Sequence, residues 1–145
     1  MYKLIALDMD GTLLRQDGSI SERTKLAIQQ AKARGVKVVL ASGRPLEGLE
    51  RYLTELDLTS DEDYALSFNG ALIKNVGTRE TICSQVIRGK DVQEIFALTE
   101  RLGVNTHAFS AELGLITPRI SHYTQHEKDI NGISLTLMEY NDLAA

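Results

Sequence analysis

The chain has 145 residues, 43% of them hydrophobic and 25% charged, with a formal net charge of −4 at pH 7. That is the composition of a globular protein with enough chain for a real core, and its acidic balance argues against a duplex nucleic-acid partner, which calls for a basic stripe. No apolar run approaches the roughly 20 residues of a membrane helix and none resembles a signal peptide; with Cys83 as the single cysteine, no intrachain disulfide can form, so no membrane association and a cytoplasmic setting are expected.

Residues 3–7, Lys-Leu-Ile-Ala-Leu, run into Asp8-Met9-Asp10-Gly11-Thr12-Leu13-Leu14. A short continuous apolar run closed by a turn signal reads as a strand buried on both faces of a parallel sheet. Side chains alternate along a strand, so Asp8 and Asp10 project to one side where it ends, the place where open α/β sheets bind ligands. Two carboxylates held together repel unless a cation or a shared proton intervenes. A helix cap or Asx-turn accounts for one such acid, not for two on one face.

Ser19 or Ser21 caps a helix expected to run to about Arg34, with Thr24, Ala27, Ile28 and Ala31 facing inward and Gly35 as its left-handed stop. Residues 36–41 form a second, β-branched strand, so strand, helix and strand make a βαβ unit with parallel strands. That strand ends in Ala41-Ser42-Gly43-Arg44-Pro45, the parts of a small anion site: a hydroxyl donor, a close backbone approach and a charged fork. Pro45 opens a helix whose buried stripe is Leu46, Leu49, Leu53 and Leu56. After a solvated acidic connection, residues 64–68 read as a third strand, and Asn69-Gly70 as a primed hairpin turn leading into Ala71-Leu72-Ile73. Residues 81–87 form a further strand, in which Cys83 reads as a small buried hydrophobe.

From Gly89 the pattern changes. Asp91 and Glu94 suggest a capping box, and Val92, Ile95, Phe96, Thr99 and Leu102 an amphipathic helix ended by Gly103. Strands are expected over 104–109, 114–117 and 133–138, the last with the alternation of a half-exposed antiparallel strand. The boundary is placed so that 1–88 forms an α/β layer with a hairpin and 89–145 the start of an α+β lobe. His122 and His126, four residues apart, share a helix face at the spacing of a two-histidine metal site, but no glutamate or cysteine clearly completes a set. His107 falls in an expected strand and reads as an ordinary surface residue of that lobe.

Asp8-Met9-Asp10-Gly11-Thr12-Leu13-Leu14, Ala41-Ser42-Gly43-Arg44-Pro45 and Asn69-Gly70-Ala71, in that order, resemble the haloacid dehalogenase-like hydrolases, specifically the Cof-type sugar-phosphate phosphatases. The resemblance implies a partial Rossmann-like α/β core followed by the start of a C2-type α+β cap. It implies that Asp8 is the nucleophile and becomes an aspartyl phosphate, and that Asp10 protonates the leaving alcohol and then deprotonates water. The Asp8 carboxylate and the Asp10 carbonyl would hold Mg²⁺; Gly11, Thr12, Ser42 and Gly43 would cradle the phosphoryl group, with Arg44 and Asn69 on the leaving-group side. The substrate is then a small phosphate ester, selected by the cap.

Two family motifs do not occur: a lysine beyond the cap and a Gly-Asp-x-x-Asn-Asp block. The last lysine is Lys128, and Asn141-Asp142 lacks the preceding Gly-Asp. The chain is therefore expected to be the first half of such a protein, with weak catalysis and with residues 3–7 left as an apolar edge that pairs with a second copy or a second half. A non-catalytic half-domain is the alternative. A phosphoacceptor signalling domain also uses strand-end acids, but residues 42–44 and the second lobe speak against it.

Overall fold

The apolar run at the start of the chain forms strand β1, Leu4–Asp8, at the edge of a five-stranded sheet of order β1-β2-β3-β4-β5. The structure is a computed structural model that describes residues 2–110 and 112–142. It divides into two compact units, Met1–Gln85 and Val86–Ala145.

In the first unit β2 (Lys37–Ala41) and β3 (Tyr64–Ser67) continue parallel to β1, and the hairpin strands β4 (Leu72–Asn75) and β5 (Thr81–Ser84) follow antiparallel. Helix α1 (Glu22–Ala33) makes the crossover between β1 and β2. It starts where Ser21 Oγ accepts a hydrogen bond from Thr24 N at 3.1 Å, and the chain leaves it through Gly35 at φ +77°. Past β2, a 3-10 turn (Leu46–Leu49) runs into the short helix α2 (Glu50–Glu55). Leu46, Leu49, Leu53 and Leu56 are all buried there, joined by Met9, Leu40 and Tyr52 in one core. Each such leucine contributes roughly 1.5–3 kcal/mol of apolar burial.

Three expectations for this unit fail. β1 is not buried on both faces: among the described residues only β2 pairs with it and Leu4 is 55% exposed, in agreement instead with the expectation that residues 3–7 are left as an apolar edge. Ala27 of α1 is exposed, because Ile28 alone of that helix is buried. Cys83 is exposed, since β5 is the outer strand of the sheet and has a neighbour only in β4.

The second unit holds a three-stranded sheet, β6 (Ala108–Ser110), β7 (Gly114–Thr117) and β8 (Leu135–Leu137), in that order, with helices α3 (Gly89–Leu102) and α4 (His122–Asn131). β6 is antiparallel to β7, but β8 is parallel to it. The antiparallel reading of β8 fails because α4 lies between the two strands, and a crossover through a helix returns the chain in the same direction. Leu115, Ile116, Ile133 and Tyr140 are buried, with the Phe96 ring edge-on to Tyr140 at 4.6 Å. The Tyr140 hydroxyl donates to the Ile116 carbonyl at 3.1 Å, and burial pushes its pKa up to about 12. α3 has no capping box: Asp91 instead takes two hydrogen bonds from the Arg88 guanidinium, each 3.0 Å, and Ile95 and Leu102 face outward. Parallel strands and a hairpin joined by helices place the chain in the α/β class.

Candidate active site

The parallel register aligns the carboxyl ends of three strands: Asp8 is opposite Ala41, and Ala41 is opposite Leu66. The three segments beyond those ends, residues 9–13, 42–45 and 68–70, therefore emerge side by side. This is the edge where open α/β sheets bind ligands.

The first segment is a wide turn, Met9–Leu13, closed by Leu14 N donating to Met9 O at 2.9 Å. Met9, Leu13 and Leu14 are buried and anchor the turn at both ends, while Asp8, Asp10, Gly11 and Thr12 stay exposed. Gly11 sits at φ +79°, a conformation that an L side chain rarely adopts. Asp8 accepts one hydrogen bond, from Thr12 Oγ1 at 2.9 Å, and caps no backbone N–H.

Asp10 is held differently. Arg44 Nε donates to its Oδ2 at 2.9 Å and Arg44 Nη2 to its Oδ1 at 2.7 Å, a two-point fork. The hydrogen-bonded Arg44 guanidinium holds the Asp10 carboxyl below the usual carboxylate range, against a smaller opposing effect of burial. The Arg44 side chain is 19% exposed against 61% for Asp10. Two carboxylates two residues apart thus have unequal partners: one weak donor for Asp8, a full cation for Asp10.

The second segment is tied to the sheet by Ser42 N donating to Leu66 O at 3.0 Å. The buried Ser42 Oγ accepts from Arg44 N at 3.2 Å, so its own O–H proton is available to a ligand. Asn69 N donates to Ser42 O at 2.9 Å and Phe68 N to Arg44 O at 3.2 Å, which docks the third segment on the second. A Cβ on Gly43 would meet the Asn69 carboxamide at 3.3 Å, so glycine lets the two loops lie close. Asn69 and Gly70 take φ +57° and +88°, and Ala71 N donates to Phe68 O at 3.1 Å, as in a primed turn. Phe68 itself is at φ +52°, which for a bulky side chain costs roughly 1–2 kcal/mol. Such strain persists where surrounding hydrogen bonds over-determine it, as they do here.

Of the eight site residues expected from the sequence, Asp8 closes β1, and Asp10, Gly11, Thr12, Ser42, Gly43, Arg44 and Asn69 lie on the three adjacent segments. One participant was missed. Tyr52 is buried under the site, its hydroxyl donating to Gly18 O at 3.2 Å. Its ring has the Arg44 guanidinium 5.9 Å from the centroid and that of Arg51 at 4.3 Å. Its spacing from Leu49 and Leu56, three before and four after, would have put it on the same helix face.

As a cation site the acids are partial. The donors at hand are carboxylate, carbonyl and hydroxyl oxygens, which suit a hard cation such as Mg²⁺. Among the described residues, however, no group of three or more His, Cys, Asp or Glu is arranged around one point. The residues fit part of a magnesium site.

The family model for haloacid dehalogenase-like hydrolases matches residues 5–142. The Bacillus subtilis protein YxeH is 38% identical over 145 residues, covering 99% of this chain and 53% of its own length. A 5-amino-6-(5-phospho-D-ribitylamino)uracil phosphatase of B. subtilis, YitU, is 43% identical over 70 residues, covering 48% of this chain and 25% of its own. The crystal structure of a haloacid dehalogenase-like hydrolase from Bacteroides thetaiotaomicron superposes with a TM-score of 0.83 at 26% identity, over 99% of this chain and 55% of that one. The chain spans about half the length of the curated relatives it matches. With the three motifs gathered at one sheet edge and the match running almost end to end, the chain belongs to the haloacid dehalogenase-like hydrolase family.

Proposed function

We propose that the protein hydrolyses small phosphate monoesters, sugar phosphates among them, through a phosphoryl-enzyme intermediate on Asp8. The observation that carries this reading is the unequal environment of the two strand-end acids beside Ser42. Asp8, with a single hydroxyl donor, keeps carboxylate electron density for attack on phosphorus. In the first step its oxygen bonds to phosphorus as the ester P–O bond breaks, and Asp10, protonated once Arg44 has released it, gives that proton to the departing alkoxide. In the second, water attacks the phosphoryl group, Asp10 takes the water's proton, and inorganic phosphate leaves with Asp8 restored.

Arg44 keeps Asp10 ionised, which is the form the second step needs; the first step requires the guanidinium to withdraw. Ser42 O–H and the backbone N–H groups around Gly11 and Gly43 face the transferred phosphoryl, with Thr12 steadying Asp8 and Asn69 toward the leaving group. The Asp8 carboxylate and the Asp10 carbonyl would hold Mg²⁺, whose charge would neutralise phosphoryl oxygens and relieve the repulsion between the acids. The unit Val86–Ala145 takes the role of a substrate-selecting cap. Cytoplasmic location goes with small phosphorylated metabolites as substrates.

Because no third acid joins Asp8 and Asp10 among the described residues, slow turnover is expected of these residues. The test is release of p-nitrophenol from p-nitrophenyl phosphate with Mg²⁺, comparing the chain with its D8N variant. Slow turnover abolished by D8N is expected; turnover unchanged by D8N would overturn the reading. The open edge of β1 favours a second reading, a non-catalytic unit that pairs through β1 with another copy. No turnover together with a dimer in sedimentation, dispersed by a proline at Ala6, would favour it.

A further inference from the structure

Helix α4 carries a feature the phosphatase reading does not use. Thr124 and Asn131 are buried and fix one face of the helix, Ser121 Oγ caps its start from 3.1 Å, and Gly132 at φ +64° ends it. The opposite face carries His122 and His126, both exposed, on consecutive turns. Their rings lie 6.5 Å apart between centroids and within 22° of parallel. Among the described residues neither imidazole has a hydrogen-bond or ion-pair partner; their contacts are with each other and, for His122, with the Tyr123 ring at 5.8 Å.

We propose that His122 and His126 chelate one divalent transition-metal ion, of the Zn²⁺, Ni²⁺ or Cu²⁺ class. Two imidazoles four residues apart on a helix reach one ion from the same side, and borderline-soft ions prefer this nitrogen pair to the oxygen set around Asp8. Among the described residues no further His, Cys, Asp or Glu completes a set, so the remaining positions are taken by water and the ion stays exchangeable. Bound across consecutive turns, the ion staples α4 and stabilises the unit by linkage.

The test is calorimetric titration of the full chain with Zn²⁺, in excess Mg²⁺ to occupy the oxygen site, for wild type, H122A and H126A. Circular dichroism checks that the exposed substitutions leave the fold intact. One Zn²⁺ per chain is expected, its affinity falling about tenfold or more in either variant because the second ligand acts at high effective concentration. Cu²⁺ should bind more tightly than Zn²⁺. Zn²⁺ affinity unchanged in both variants, or no Zn²⁺ bound by wild type, overturns the proposal.

Discussion

Helices α2 and α3 carry the same kind of apolar periodicity and meet opposite fates. On α2 and the turn before it, Leu46, Leu49, Leu53 and Leu56 are each no more than 5% exposed. On α3, Ile95 and Leu102 follow the predicted stripe, yet Leu102 is 65% exposed and the helix has no fully buried residue. The difference lies in what lies opposite: α2 faces a sheet core closed by Met9, Leu40 and Tyr52, whereas α3 meets its own unit through half-buried residues such as Val92, Phe96 and Thr99 and through polar links from Gln93 to Asn141 O and from Glu100 to Arg119. Periodicity tells which residues share a face, and not whether anything covers it.

The sharpest way to break this comparison is a pair of truncations. L49A should destabilise the first unit by about 2–5 kcal/mol through lost burial and a residual cavity. L102A should change stability by about 0.5 kcal/mol or less. Urea unfolding measured on both variants decides it; equal effects would mean that α3 is covered.

A smaller effect tests the one well-sealed place in the second unit. Y140F removes a hydroxyl that reaches the Ile116 carbonyl at 3.1 Å and the Thr106 carbonyl at 3.4 Å, and should cost about 1–2 kcal/mol. Its pH signature is independent. The Tyr140 pKa rises from 10.0 to about 12 on folding, so its contribution is full below pH 10 and is lost as the pH climbs toward 12. Thermal melts across that window should show a loss of stability in wild type that Y140F lacks.

The smallest effect concerns the polar side of the first unit. The Asp10 carboxyl is held below its ordinary value of 3.8, so the Arg44 pair stabilises above that pH and its contribution disappears as the pH falls through the lower folded value. Asp10 is mostly exposed, so screening limits the pair to about 1 kcal/mol or less. R44A should therefore be slightly less stable than wild type at neutral pH and equal to it in strong acid. A gap that persists in acid would assign Arg44's contribution to its stacking on Tyr52.

Much of the site was legible because its parts are local. An apolar run stopped by Asp8-Met9-Asp10-Gly11 marks a strand end, and Asn69-Gly70 needs the left-handed backbone that it adopts. The links between those parts were not legible. The fork from Arg44 to Asp10 joins residues 34 apart, and the hydrogen bonds that hold Phe68 in a left-handed conformation come from the Ser42–Arg44 segment. No short window of sequence contains both ends of such a contact.

The sequence by itself determined the order of strands and helices in the first unit, the parallel sense of β1 and β2, the glycine stops at Gly35 and Gly103, and which acidic and polar residues stand at the strand ends. These follow from side-chain period, backbone preference and the length of a crossover, all short-range. Only the tertiary structure decided that Cys83 lies exposed on the outer strand β5, that β8 runs parallel to β7, and that Asp10 rather than Asp8 takes the arginine. Each of those depends on which neighbour covers a surface or faces a charge, and that is set by segments distant in the chain.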